Sequence, residues 1–187
     1  MSEKVLNSFD EHLNVLLKSR TELAESIMIA SEMIKLVINS GKKVLLCGNG
    51  GSASDAQHIA AEFTGRFIKD RKPLAAIALT TDSSALTAIG NDYGFDRIFE
   101  RQVQALASQG DVLIAITTSG NSRNVICAID KAKEMGCHTI VLSGNDGGMA
   151  STLADVCITV PSTSTARIQE IHILIGHIFC SFLENVT

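Results

Sequence analysis

Short apolar runs alternate with longer amphipathic patterns along most of this chain, and that alternation constrains the fold more than any other feature. The strand-like runs are Val44–Cys47, Ala75–Leu79, Val112–Ile116, Thr139–Leu142 and Val156–Val160. The helical patterns are Ser54–Arg66, Ser83–Gly90, Phe95–Ser108, Asn121–Met135 and Thr165–Asn185. Strands that alternate with helices form parallel sheets covered on both faces. The sequence therefore predicts an α/β protein with a doubly wound, five-stranded parallel sheet.

The first 40 residues differ, because they carry a helical pattern and no strand. Their apolar residues at mostly helical spacing are Leu6, Phe9, Leu13, Leu16, Leu17, Leu23, Ile27 and Ile34. This pattern predicts an N-terminal helical arm of one long helix or two shorter ones. The arm has little sheet to cover, so part of its apolar face is expected to pack on another subunit. Packing along one edge of its own domain is the alternative.

Length and composition indicate one globular domain. A chain of 187 residues with 45% hydrophobic residues suits a single domain, with residues 1–40 as the arm and 41–187 as the core. A net charge of −4 offers no basic field for nucleic acid, and the basic run Arg66–Lys72 is predicted to be a solvated turn. No apolar run is long enough for a membrane span, and the start MSEKVLNSFDEH lacks the apolar region of a signal peptide. We therefore expect a cytoplasmic protein without nucleic-acid or membrane partners.

The cysteines suggest neither disulfides nor a zinc-cysteine cluster. There are five of them, with no C-x-x-C pair. Most are expected in the core. Cys47 ends the first strand and is a candidate nucleophile, although a buried thiol is the commoner role at such a position.

A glycine-rich turn links the first strand to the first helix of the core, within KVLLCGNGGSASDAQHIAAEFTGR. Gly48, Gly50 and Gly51 allow positive φ and close backbone approach. Ser52, with Asp55 three residues later, is predicted to cap a helix that starts near Ser54. The free N–H groups of such a helix end attract an anion such as phosphate.

The same helix carries His58 and Glu62 four residues apart, so that an imidazole and a carboxylate share one face beside the turn. A plain strand–turn–helix connection is the simplest alternative. A second alternative is a dinucleotide site, because Gly48, Gly50 and Ala53 satisfy a loose G-x-G-x-x-A pattern. That site needs an acidic residue about 20 positions further on. Glu62 falls inside the helix and Asp82 comes too late, so this reading is weak.

A second candidate anion loop follows the third strand, in TTSGNSRN. Its four hydroxyls are those of Thr117, Thr118, Ser119 and Ser122. Asn121 or Ser122 is predicted to cap the next helix, whose N-terminal field favours a phosphate dianion. In a doubly wound sheet, ligands bind outside the carboxyl ends of the strands, which here means the loops that begin at Gly48, Thr80, Thr117 and Ser143.

The last helix carries polar residues among many apolar ones. Gln169 and His177 lie eight positions apart, hence within about 80° around the helix but about 12 Å along it. They can reach a common ion only by leaning towards each other. His172 points elsewhere and is expected to be a satisfied buried or interfacial histidine, and His177 alone would also more often be structural.

Several motifs in order closely resemble one family. These are CGNGGSASDAQHIAAEFTGR, LTTDSSALTAIGNDYGFDRIFERQV, GDVLIAITTSGNSRNV, LSGNDGG and TARIQEIHI with the later histidine. Together they resemble the phosphoheptose isomerases of the sugar isomerase (SIS) family, over nearly the whole chain. The resemblance implies a flavodoxin-like SIS fold and the conversion of D-sedoheptulose 7-phosphate to D-glycero-D-manno-heptose 7-phosphate. That product supplies heptose for bacterial surface glycans such as lipopolysaccharide or capsule.

The resemblance also implies site residues. The implied catalytic pair is Glu62 as base and His177 as acid. The implied substrate contacts are Asn49, Gly50, Gly51, Ser52, Glu62, Asn91, Asp92, Thr117, Thr118, Ser119, Ser122 and Gln169. The implied ligands of one zinc ion per subunit are His58, Glu62, Gln169 and His177, and the implied assembly is a homotetramer with sites formed between subunits. Two positions depart from the family, since Thr117 replaces a common serine and Ala166 an aspartate that some members carry.

Two non-enzymatic classes compete with an isomerase. One is the group of SIS proteins that associate with the bacterial replication initiator, and the other is a sugar-phosphate-binding regulator of the same fold. Neither needs a base and an acid. The presence of both Glu62 and His177 favours the enzyme.

Overall fold

Five parallel strands form the central sheet, in the order β2-β1-β3-β4-β5, in the computed structural model, which describes residues 3–184. The strands are β1 (Val44–Gly48), β2 (Ala76–Ala78), β3 (Val112–Thr117), β4 (His138–Ser143) and β5 (Val156–Thr159). The doubly wound, five-stranded parallel sheet predicted above is confirmed. The direction of winding reverses between β1 and β3, which makes their carboxyl ends the topological switch point.

Alternate residues of each strand face opposite layers. In β1, Val44 and Leu46 belong to one apolar core while Leu45 and Cys47 belong to the other. Helices cover both faces, so the central strands β1 and β3 are buried on both sides and form continuous apolar runs rather than alternating ones.

Eight α-helices surround the sheet within residues 3–184. They are α1 (Glu3–Glu22), α2 (Ala24–Asn39), α3 (Gly51–Thr64), α4 (Ser83–Tyr93), α5 (Glu100–Leu106), α6 (Arg123–Glu134), α7 (Gly148–Leu153) and α8 (Thr165–Phe182). The helix predicted over Phe95–Ser108 is in fact a 3₁₀ turn over Phe95–Arg97 followed by α5. Helix α7 was not predicted, because six residues give no usable periodicity. The predicted helix end at Asn185 lies outside the described residues.

The N-terminal arm consists of two helices, α1 and α2, which meet at the buried side chain of Leu23. Both helices contact α8. The His12 Nδ1 atom lies 2.7 Å from Glu170 Oε2, and Arg167 Nη2 lies 2.7 Å from Glu170 Oε1. The arm therefore packs on its own domain, as the alternative held. It also leaves apolar side chains exposed, and those of α1 are Val5, Leu6, Phe9, Leu13 and Leu17. Contact with another subunit stays a prediction.

None of the helices in residues 3–184 combines the length and the apolar character needed to cross a bilayer.

Helices α3 and α8 run parallel and approach closely through small residues. Gly51 faces Gln169 near their amino ends, and Gly176 faces Ile59 further along. A Cβ atom on Gly176 would lie 2.5 Å from Ile59 Cδ1, and Ile59 is fully buried. The distance between these two helices therefore depends on the absence of a side chain at position 176.

Gly176→Ala is expected to destabilise the protein by about 1–3 kcal/mol, because the added methyl group overpacks a buried contact. Combining it with Ile59→Ala, which removes the opposing atoms, should cost less than the sum of the two single changes. Urea denaturation measures all three variants.

Gly90→Ala is the matched control for this experiment. A Cβ atom on Gly90 would meet only Ile98 Cγ2, at 3.7 Å, which is ordinary van der Waals contact. A helical glycine with such room is expected to gain about 0.5–1 kcal/mol as alanine. A neutral Gly176→Ala variant, or strict additivity with Ile59→Ala, would contradict the tight-contact interpretation.

Candidate active site

The glycine turn lies at the switch point, between the carboxyl ends of β1 and β3. Gly48 pairs with Ile116, and a Cβ atom on Gly48 would lie 2.9 Å from the Ile116 carbonyl oxygen. Gly50 has a φ of +56° and is the residue from which α3 begins. The Ser52 and Ala53 N–H groups donate to the carbonyls of Asn49 and Gly50, at 3.0 Å each, so the turn itself engages part of the amino end of α3.

The predicted cap of α3 is wrong. The helix begins at Gly51 rather than near Ser54, with Gly50 at the N-cap position and no side-chain cap hydrogen bond. Ser52 therefore lies inside the first turn, with only 3% of its surface exposed. Glycine at this place lets backbone rather than side chains face a ligand.

The second candidate anion loop is folded around its own hydroxyl groups. The buried Thr117 donates a hydrogen bond from Oγ1 to Ser122 Oγ, at 3.1 Å. Ser122 is the N-cap residue of α6, but it makes no side-chain cap hydrogen bond, so the predicted capping by Asn121 or Ser122 is wrong. Thr118 is half-buried and Ser119 is exposed. The Ser119 hydroxyl accepts a hydrogen bond from the Asn121 N–H at 3.2 Å, within the loop itself.

The loop between β4 and α7 braces the second anion loop. Asn145 Nδ2 donates to the Thr118 carbonyl at 2.9 Å, and the Met149 N–H donates to Asn121 Oδ1 at 3.0 Å. A Cβ atom on Gly120 would lie only 2.0 Å from the Gly147 carbonyl oxygen. The two loops fit together only because position 120 is glycine.

Asn49 and Asn124 join the two candidate anion loops, and no sequence pattern predicted this pair. Asn49 Nδ2 donates to Asn124 Oδ1 at 2.9 Å, and Asn124 Nδ2 donates to Asn49 Oδ1 at 2.8 Å. Asn124 is buried in the first turn of α6. Both polar atoms of the Asn49 side chain therefore bond Asn124, and this contact fixes the glycine turn to the first turn of α6.

His58, Glu62 and His177 meet where α3 and α8 pack together. His58 Nε2 lies 3.4 Å from His177 Nε2 and 3.3 Å from Glu62 Oε1. The two imidazole rings are edge-on, with centroids 5.1 Å apart and a 68° angle between planes. About half of the His58 side chain and a quarter of the Glu62 side chain are exposed. A carboxylate and two imidazoles thus meet at a surface that a substrate can reach.

This donor set fits zinc in its chemistry. Zn–N bonds of about 2.0–2.1 Å in tetrahedral geometry place neighbouring donors about 3.4 Å apart, close to the two separations found here. Residues 3–184 nevertheless contain no group of three His, Cys, Asp or Glu side chains already arranged to hold a metal ion. The Gln169 amide lies against Gly51, where a Cβ atom would be 2.4 Å from its Nε2. Zinc binding by Gln169 stays a prediction.

Asn91 and Asp92 lie near the carboxyl end of α4, which is eleven residues long. Their contact with substrate stays a prediction. Both residues are exposed, and Asn91 Nδ2 donates to Asp92 Oδ1 at 2.8 Å.

Two other polar side chains have structural roles. Burial raises the pKa of the Cys47 thiol to about 12, so this residue is not a thiolate nucleophile at neutral pH. His172 is fully buried and donates from Nε2 to the Ser143 carbonyl at 2.9 Å. Burial lowers the pKa of His172 to about 4, which keeps it neutral at pH 7. His172 is thus a buried core histidine, as expected, but it is only half satisfied, because its Nδ1 atom has no hydrogen-bond partner.

Disrupting the asparagine pair should weaken both stability and anion binding. Asn124→Ala leaves the Asn49 amide without its two partners, and we expect a loss of about 1–3 kcal/mol in unfolding free energy. The apparent affinity for inorganic phosphate should fall as well, because the two loops lose their connection. Asn49→Ala combined with Asn124→Ala should cost less than the sum of the single changes.

Thr139→Val serves as the control. Thr139 lies near the amino end of β4, away from the carboxyl ends of the strands, and it hydrogen-bonds Asp155 there. It should lower stability without changing phosphate affinity. Calorimetric titration with phosphate and urea denaturation supply the two readouts. Equal effects of Thr139→Val and Asn124→Ala on phosphate binding would rule out the proposed coupling of the loops.

Similarity to known proteins agrees with this geometry. The profile of the SIS domain family matches residues 8–144. A phosphoheptose isomerase of Aliarcobacter butzleri is 52% identical over 99% of this chain and 98% of its own length. The structure of phosphoheptose isomerase GmhA from Neisseria gonorrhoeae superposes with a TM-score of 0.94 at 49% identity, covering 98% of both chains. The structure of a phosphoheptose isomerase from Francisella tularensis superposes with a TM-score of 0.95 at 37% identity, covering 98% of this chain and 99% of that one.

Proposed function

The chain belongs to the SIS domain family and, within it, to the phosphoheptose isomerases, and on that premise we propose how its own residues carry out the reaction. The protein is an aldose–ketose isomerase that converts D-sedoheptulose 7-phosphate into D-glycero-D-manno-heptose 7-phosphate in heptose biosynthesis. The observation that carries the mechanism is the meeting of His58, Glu62 and His177 beside two candidate anion loops.

Glu62 is the proposed base. The reaction moves a proton from carbon 1 of the ketose to carbon 2 of the aldose through a cis-enediol, so one group must take and return a carbon-bound proton. Glu62 Oε1 is the oxygen near His58, which leaves Oε2 for the substrate. A partly exposed carboxylate on a rigid helix suits this task.

His177 is the proposed acid. It would donate a proton to oxygen 2 as the carbonyl becomes a hydroxyl, and accept the proton that leaves oxygen 1, so that the substrate gains and loses no atoms overall. The second anion loop and the amino end of α6 would hold the phosphate. Fixing that remote group turns binding energy into orientation of the two reacting carbons.

We propose one zinc ion per subunit, held by His58, Glu62, Gln169 and His177. When bound, zinc would polarise the substrate carbonyl and stabilise the negative charge that develops on its oxygens. The donor chemistry and the two separations at His58 support this proposal.

A homotetramer with sites completed between subunits is proposed from the exposed arm. The arm exposes a row of apolar side chains, which a second chain would cover. Asn91 and Asp92, exposed near the carboxyl end of α4, are proposed to complete the site of a second chain. Five free cysteines suit the reducing cytoplasm, where we place the enzyme. The relatives favour an isomerase over a SIS protein that associates with the replication initiator.

Glu62→Gln is expected to lower kcat by about 10²–10⁴-fold, because the amide cannot accept a proton from carbon while it keeps the shape of the side chain. Turnover of D-sedoheptulose 7-phosphate is followed by NMR detection of the aldose. Glu134→Gln, a change of an exposed carboxylate on α6, is the control and should leave kcat unchanged. Near-normal turnover by the Glu62→Gln variant would exclude this residue as the base.

His177→Ala is expected to lose both activity and zinc, since the proposal gives this imidazole both roles. Metal content of the purified protein is measured by mass spectrometry alongside turnover. His138→Ala, at the exposed start of β4, should keep both. Loss of activity with one zinc ion retained per subunit would make His177 catalytic but not a ligand.

A further inference from the structure

The segment between α3 and β2 contacts both helices that carry the proposed catalytic side chains. We call residues 65–72 the strap. Its backbone is the turn that the basic run Arg66–Lys72 predicted, but it is not simply solvated. Three side-chain contacts hold it in place. Arg71 of the strap contacts α3, Phe67 of the strap contacts α8, and Glu184, just beyond α8, contacts the backbone of the strap.

Arg71 holds the carboxyl end of α3. Its Nη2 donates to the Glu62 carbonyl at 2.9 Å, and its Nη1 donates to the Phe63 carbonyl at 3.1 Å. The last carbonyl groups of a helix have no partners within it, so an arginine here satisfies them. The turn of α3 that carries Glu62 is thereby fixed to the strap.

Glu184, just beyond α8, fixes the middle of the strap. Its Oε1 accepts from the Ile68 N–H at 3.3 Å, and its Oε2 accepts from the Lys69 N–H at 2.8 Å. Burial opposes the effect, but these hydrogen bonds lower the pKa of Glu184 below its ordinary value. The strap is therefore anchored to α8 by an ionised carboxylate.

Phe67 lies against the face of His177. The ring centroids are 5.5 Å apart with an angle of 26° between planes, which is a stacked arrangement. Phe67 is itself half-buried and packed on the apolar core that α3 and α8 share. His58 meets the same imidazole edge-on. The His177 ring is thus held by an aromatic face and by a second imidazole.

This arrangement has a consequence for proton transfer. Rotation of an imidazole about its terminal torsion is soft, because that torsion is broad and roughly two-fold. A stacked ring on one face restricts this rotation. A displacement of about 1 Å at a reacting group costs on the order of 10²-fold in rate.

We propose that Phe67 is a positioning residue for the isomerase reaction, which sets the plane of the His177 imidazole relative to Glu62 through the anchored strap. This inference rests on the proposed role of His177 as acid. It requires that the Phe67 ring, and not merely the stability of the strap, determines the turnover number.

Phe67→Leu tests the proposal, because it keeps apolar bulk in the core and removes the aromatic face. We expect kcat to fall about 10- to 100-fold with KM changed less than about twofold, since the phosphate contacts are untouched. Phe67→Tyr keeps the face and should retain most of the wild-type kcat. Leu74→Val, a change at a buried residue just after the strap, controls for lost stability and should leave kcat unchanged.

An NMR measurement reads the stacking without reference to catalysis. The ring protons of His177, labelled with ¹³C-histidine and assigned by comparison with His177→Ala, should carry a ring-current shift in the wild-type protein. Phe67→Leu should abolish that shift, and Phe67→Tyr and Leu74→Val should preserve it.

The outcomes are distinguishable. A lost shift with lost kcat in Phe67→Leu alone supports the proposal. Loss of the ring-current shift with unchanged kcat in Phe67→Leu overturns it. The absence of the shift from the wild-type protein, or an equal loss of kcat in Leu74→Val, also overturns it. A wild-type protein that shows the shift but does not isomerise D-sedoheptulose 7-phosphate overturns the proposed function, and the inference falls with it.

Discussion

The close packing of α3 on α8 is the contact on which the site depends. Gly176 lets Ile59 fill the space that a side chain would occupy, so the two helices approach without a gap. His58 precedes Ile59 and His177 follows Gly176, so that approach brings His177 Nε2 to 3.4 Å from His58 Nε2. The proposed acid His177 and the helix that carries the proposed base Glu62 are therefore brought together because position 176 lacks a Cβ atom. Buried apolar contacts of this kind resist displacement, and that rigidity is what proton transfer requires.

The sheet supplies the other half of the site, for a different reason. The order of strands reverses between β1 and β3, so the loops after these two strands diverge and leave a crevice at the carboxyl edge. Asn49 and Asn124 bridge that crevice with two amide hydrogen bonds. The anion loops are thus parts of one surface. A substrate would span the site, with its phosphate on this surface and its reacting carbons beside Glu62 and His177.

The sequence predicted the layered fold because segments with the strand period alternate with segments with the helix period. It predicted the place of the candidate anion loops because the carboxyl ends of parallel strands lie along the same edge of a sheet. The sequence analysis mispredicted how two helices are capped, because a single residue determines each cap. Glycine, not serine, starts α3, and Thr117 takes the Ser122 hydroxyl that was expected to cap α6. Asn124 and Phe67 gave no signal, because their partners are 75 and 110 positions away and one sequence shows no pairing. The family resemblance, rather than spacing, put Gln169 beside His58 as a ligand. In the structure its amide lies against Gly51, and the role of Gln169 as a ligand stays a prediction.

The central claim is that Glu62 carries a carbon-bound proton between neighbouring carbons of the substrate. Isomerisation of D-sedoheptulose 7-phosphate in D₂O tests it most directly, because a carboxylate that faces solvent exchanges the proton it holds. We predict aldose with deuterium at carbon 2, together with deuterium at carbon 1 of the ketose recovered before equilibrium. Aldose formed with only hydrogen at carbon 2 would contradict a solvent-facing Glu62 as the base, because such a carboxylate would exchange the proton before returning it.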